Sequence, residues 1–182
     1  LLGCVATLAL GAACSDDDNG NNNNSGTCAA NLLPGDLVIT EVMANPDGAD
    51  DGKEWFEIYN ATSSVIDLSG VTLVYSRTDG TNRKTHIIAD NTLISAGEYL
   101  VVGSVLEVAK PAHVDYATGG DLGSFTNNGG KLSIECGNTI VDEVVYLEGS
   151  EGAAQTYDGA LAPSATGNDT LDDWCDAETE YE

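Results

Sequence analysis

The chain has 182 residues, 30 of them acidic and 6 basic, for a net charge of −24. That length suits one domain with flanking segments, and a hydrophobic content of 42% is enough to bury a core. Six cations cannot furnish the basic face that phosphate backbones need, which argues against nucleic acid as a partner.

The first 13 residues, LLGCVATLALGAA, carry no charge and are small or apolar almost throughout. A bilayer span needs about 20 residues, so the run reads instead as the apolar centre of a secretory signal. Gly11-Ala12-Ala13-Cys14 resembles a bacterial lipobox, which implies that Cys14 is acylated and becomes the mature N-terminus. Leu1-Leu2-Gly3-Cys4 has the same form, but cleavage there would leave the apolar run 5–13 on the mature protein. Ser15 to Gly26 (SDDDNGNNNNSG) has no apolar side chain and is expected to be a disordered, solvated tether. The expected division is therefore a signal remnant at 1–13, a lipid-anchored polar tether at 14–35 and a folded domain at 36–182. An ordinary cleaved signal followed by a loose terminus is the alternative.

From Asp36 onward, short alternating runs broken by Gly, Asn and Asp predict an all-β sandwich. The predicted strands begin with Leu37 to Met43 and Glu54 to Asn60, the second with Trp55, Glu57 and Tyr59 on one face and Phe56 and Ile58 on the other. Val71 to Tyr75, a short His86 to Ile88, and Tyr99 to Gly103 follow. Lys131 to Cys136 and Thr139 to Leu147 read as a hairpin, because Gly137-Asn138 supplies the positive φ of a two-residue turn. Val105 to Lys110 is allowed one helical turn. The 21 glycines against 4 prolines agree with a turn-rich β protein.

Export would place Cys28, Cys136 and Cys175 in an oxidising compartment. None has a Cys or His neighbour at zinc-ligand spacing. Cys136 and Cys175 lie near the end of the folded region and are expected to form a disulfide stapling the C-terminal tail to a strand. Cys28 then pairs beyond residue 182 or stays free.

Ile39-Thr40-Glu41-Val42-Met43-Ala44-Asn45-Pro46 leads into Glu54-Trp55-Phe56-Glu57-Ile58-Tyr59-Asn60. Then come Ile66-Asp67-Leu68-Ser69-Gly70-Val71-Thr72-Leu73 and Gly97-Glu98-Tyr99-Leu100-Val101-Val102. Together these blocks resemble the lamin-tail domain as it occurs in secreted bacterial proteins, a resemblance covering about residues 36–147. It implies an immunoglobulin-like β-sandwich. It also implies a closing turn and last strand that are not evident before Glu182, so the chain is expected to be cut short at both ends, and a cysteine beyond 182 could serve Cys28.

Asn45-Pro46-Asp47-Gly48-Ala49-Asp50-Asp51-Gly52 gathers three carboxylates on a Gly-containing loop, the ligand type that Ca²⁺ takes, so Asp47, Asp50 and Asp51 are candidate calcium ligands. The same residues are ordinary turn formers. Arg77, Arg83 and Lys84 hold half of the cations within eight residues, with His86 nearby, and are the candidate contact for an anionic partner. Local neutralisation of an acidic surface is the plainer reading. Glu41 and Glu57 are expected to be structural hydrogen-bond acceptors, and Trp55, Tyr59, Tyr75 and Tyr99 core or half-buried packing rather than a sugar platform. No nucleophile motif accompanies the two histidines. The expectation is a non-enzymatic binding or scaffold module, lipid-tethered to a bacterial envelope or secreted, with a protein or glycan partner and no required cofactor, Ca²⁺ being a candidate ligand only. The alternative is an accessory domain or fragment of a secreted hydrolase such as a nuclease, the company that bacterial lamin-tail domains often keep.

Overall fold

A computed structural model describes residues 27–177. The signal remnant, Cys14 and the polar stretch to Gly26 lie outside the described residues. Twelve strands follow in chain order: β1 Leu37–Met43, β2 Trp55–Asn60, β3 Ile66–Asp67, β4 Thr72–Ser76, β5 Lys84–Ile87, β6 Leu93–Ile94, β7 Tyr99–Gly103, β8 Tyr116–Ala117, β9 Asn128–Cys136, β10 Thr139–Glu148, β11 Gln155–Tyr157 and β12 Trp174–Asp176. Helix among the described residues is confined to two 3₁₀ turns, Glu107–Ala109 and Leu171–Asp173.

The strands form a six-stranded sheet in the order β12-β11-β1-β2-β7-β8, a four-stranded sheet β10-β9-β4-β5 and a small β3-β6 pair. Only β7 and β8 run parallel among the described pairings. Alternation along β2 sends Phe56 and Ile58 into the main core with Leu37, Ile39, Leu73, Tyr75, Leu132 and Ile134, between the two larger sheets. It sends Trp55 to the opposite face, where Met43, Val101, Val114 and Ala154 form a second cluster. Every residue of β1 is buried, because that strand is covered on both faces. The β9–β10 hairpin turns at Gly137-Asn138, with φ 59° at Gly137, as expected.

Two expectations are corrected. Residues 27–35, expected as part of the tether, are docked on the sandwich. Leu32 is in the main core, Cys28 and Ala30 pack against it, the Ala29 N–H donates to Ser69 O (2.8 Å) and the Gly35 N–H to Val141 O (2.8 Å). A buried leucine, a disulfide and two backbone hydrogen bonds hold a segment whose composition reads as loop. The second correction is that disulfide itself: Cys136 pairs with Cys28, not with Cys175. The end of β9 lies against the incoming N-terminal segment, with Cα atoms 5.7 Å apart, whereas Cys175 sits on β12, an edge strand of the other sheet, opposite Thr156 of β11. Cys175 is free and exposed.

Candidate functional site

The sandwich has two open sides, and they are closed differently. On one side, edge strands β5 and β8 are joined by side chains. His86 hydrogen-bonds Tyr116 Oη through Nε2 (2.8 Å) and Asp121 through Nδ1 (2.9 Å), while the Ala89 N–H donates to Tyr116 Oη (3.0 Å). On the other side, edge strands β10 and β12 leave a cavity of about 190 Å³, lined by Val145, Tyr146, Leu147, Glu148, Gln155, Leu171 and the β12 residues Trp174, Cys175 and Asp176. Val145, Leu147 and Leu171 are exposed there, and no cation lines the cavity. Trp174 is anchored by an indole N–H donated to Asn168 O (2.7 Å) and an edge contact with Tyr157.

The backbone of β10 is only partly covered on that side. The Leu147 N–H points away from β9 and is met by Gln155 Oε1 (3.2 Å), and Val141 O is taken by the Gly35 N–H. In an antiparallel ladder the groups of Val145 point the same way as those of Leu147. No bond to the Val145 groups from another described residue is found.

Two buried carboxyls hold this side of the molecule together or flank the acidic loop. Asp142 follows the register shift of β10. Its Oδ2 accepts from the Ile39 N–H (2.7 Å), beside the shift in β1, and from Asn168 Nδ2 (2.8 Å). Asn168 Nδ2 also donates to Ile39 O (3.0 Å), so one acid–amide pair clamps β1, β10 and the C-terminal segment. Burial raises the Asp142 carboxyl to about 6, against the lowering effect of those hydrogen bonds. Glu54 accepts from the buried Phe125 N–H (2.7 Å), and burial raises it to about 7, with Asp50 and Asp51 adding repulsion. Chain order alone did not single out these acids. The legible signal was a pair of acidic letters, Asp142-Glu143, inside the apolar run Ile140-Val141-Asp142-Glu143-Val144-Val145.

The expected sites are dispersed. Asp47 and Asp51 are exposed, and the loop closes on its own cation, with Lys53 Nζ donating to Asp47 O (2.8 Å). Among the described residues no group of three His, Cys, Asp or Glu side chains is placed to hold a metal ion, so the structure does not gather Asp47, Asp50 and Asp51 into one. The basic trio is divided. Arg83 donates to both carboxylate oxygens of Glu135 (3.0 and 2.8 Å), Lys84 is exposed on β5, and Arg77 lines a surface hollow with Thr126 and Asn128. Glu57 accepts from Thr40 Oγ1 (2.7 Å), a structural bond between neighbouring strands. Trp55 and Tyr75 are core. Tyr59 and Tyr99 meet toward the surface with ring centroids 4.8 Å apart and planes tilted by 43°.

Two facing sheets with this strand order define an immunoglobulin-like β-sandwich. The sequence profile of the Lamin Tail Domain matches residues 33–152, and the chain belongs to that family. Comparison with curated proteins finds no match. The match spans β1 to β10, so the β10–β12 cavity is built half from the family's sandwich and half from the segment that follows it.

Proposed function

We propose that this chain is a binding or scaffold module without catalysis, held at a bacterial cell envelope by a lipid on Cys14, with an envelope protein or glycan as its partner. The observation that carries the reading is the join at the N-terminus. A lamin tail sandwich is preceded by an apolar run ending in Gly11-Ala12-Ala13-Cys14 and by twelve residues with no apolar side chain. Stable lipid anchoring takes more than one acyl chain, which bacterial lipoproteins carry, and a polar stretch of that length stands a domain off a surface. The acids within the sandwich support a structural rather than a chemical role, since buried Glu54 and Asp142 and half-buried Glu57 each accept hydrogen bonds that join separate segments.

Palmitate labelling of the protein expressed from its full reading frame tests this. Label should be lost in Cys14→Ser and kept in Cys4→Ser. Label that follows Cys4 moves the anchor, and no label at all removes the tether. A catalytic domain encoded in the same frame would favour the accessory-domain reading.

A further inference from the structure

We infer that the β10–β12 cavity is a docking site for an extended, basic peptide segment of a partner protein, which adds to the sandwich as a strand along the free edge of β10. The inference rests on the reading of the chain as a binding module and names the chemistry of its partner.

Three independent features converge there. The first is backbone: the Val145 N–H and C=O point out of the sheet and meet no described residue, so an incoming strand finds a donor and an acceptor at one position of a ten-residue strand. The second is shape. The opposite side of the sandwich is shut by His86, Tyr116 and Asp121, whereas this side keeps a cavity of about 190 Å³ floored by Tyr146 and Trp174, room for one valine- to leucine-sized side chain. Strand alternation would place one apolar side chain of the incoming segment in that cavity and its two sequence neighbours beside exposed Val145 and Leu147.

The third feature is charge, and it selects the occupant. Glu148 and Asp176 flank the cavity, none of its lining residues is a cation, and the whole chain stands at −24. A second copy would bring the same charge to the same edge, which net repulsion opposes. A segment carrying Lys or Arg on either side of one apolar residue is complementary. Edge strands left open in this way are ordinarily protected by charge or by a covering loop. Here the covering stops at Gln155 and Gly35, on either side of Val145.

The probe is a nine-residue peptide alternating lysine with valine or leucine. Its controls are a glutamate-for-lysine twin and a version N-methylated on alternate amides, which keeps charge and side chains but cannot complete a ladder. Binding is followed by titration with amide NMR and by Trp174 fluorescence. The lysine peptide should shift and protect the amide of Val145, and it should lose part but not all of its affinity at 0.5 M salt, because the ladder bonds and the apolar contact are not screened. N-methylation and Val145→Pro should each weaken it at least tenfold, and Glu148→Lys/Asp176→Lys at least fivefold. Should Val145→Pro unfold the hairpin, the N-methylated peptide decides alone. No binding, or binding equal for the N-methylated peptide, overturns the inference, the latter showing only diffuse attraction to an acidic surface. Either result leaves the envelope-module reading standing, since that depends on Cys14 labelling.

Discussion

Glu54 and Asp142 are held above the ordinary carboxylate range by burial, at about 7 and about 6. A carboxyl with a raised folded-state pKa contributes its full stability below its unfolded value and loses it as pH rises through the folded value. Stability should therefore fall between about pH 4 and pH 7 from these two groups, in the opposite sense to a salt-bridged acid. Glu54→Gln keeps an oxygen for the Phe125 N–H and removes the charge, so it should be more stable than the parent at pH 8 by about 2 kcal/mol and indistinguishable at pH 4. Asp142→Asn should behave alike. Asp142 Oδ1 and Asn168 Oδ1 are both buried without a partner, and the new amide supplies a donor on that side. Thermal melts across pH check both, and a parent that keeps constant stability over that range would refute the assignment.

At the level of elements, the sandwich was legible because its strands are long enough to alternate. β1, β2, β7 and the β9–β10 hairpin follow apolar periodicity and a Gly-Asn turn that the letters display directly. β3, β6, β8, β11 and β12 are two or three residues long, too short for a period of two to register, and they pair through contacts made elsewhere in the chain. The β10–β12 cavity was illegible for that reason, as half its wall is β11, β12 and the turn before β12. Cysteine pairing failed on a related point: proximity to the end of the chain says nothing about which sheet edge a short strand joins. One packing demand is readable only in three dimensions. A Cβ at Gly130 would collide with the buried Tyr146 phenol on the paired strand, at a position where φ is ordinary. Gly130→Ala should cost about 2 kcal/mol from overpacking, measured by urea unfolding, whereas Gly159→Ala, with open space around it, should be near neutral.

Over the whole molecule, the Cys28–Cys136 bond closes a loop of 108 residues that contains most of the sandwich. On the loop-entropy estimate it stabilises the fold by roughly 4–5 kcal/mol. Cys28→Ser/Cys136→Ser should lose a large part of that in denaturant titration, while Cys175→Ser, on an exposed thiol, should change stability by less than about 0.5 kcal/mol. The same bond decides how the domain bears mechanical load. Tension applied ahead of Thr27 enters at Cys28 and crosses the sulfurs to Cys136 without passing along β1, β2, β4 or β7. Those strands lie off the force path and cannot be stripped from the sheets one by one. At roughly 3.6 Å per residue, about 390 Å of chain is withheld from extension. A single-molecule pull between the two ends should show that length released only after reduction. Pulled between Thr27 and Ala177, the domain would thus lengthen only beyond Cys136, keeping its β1 to β9 framework under strain.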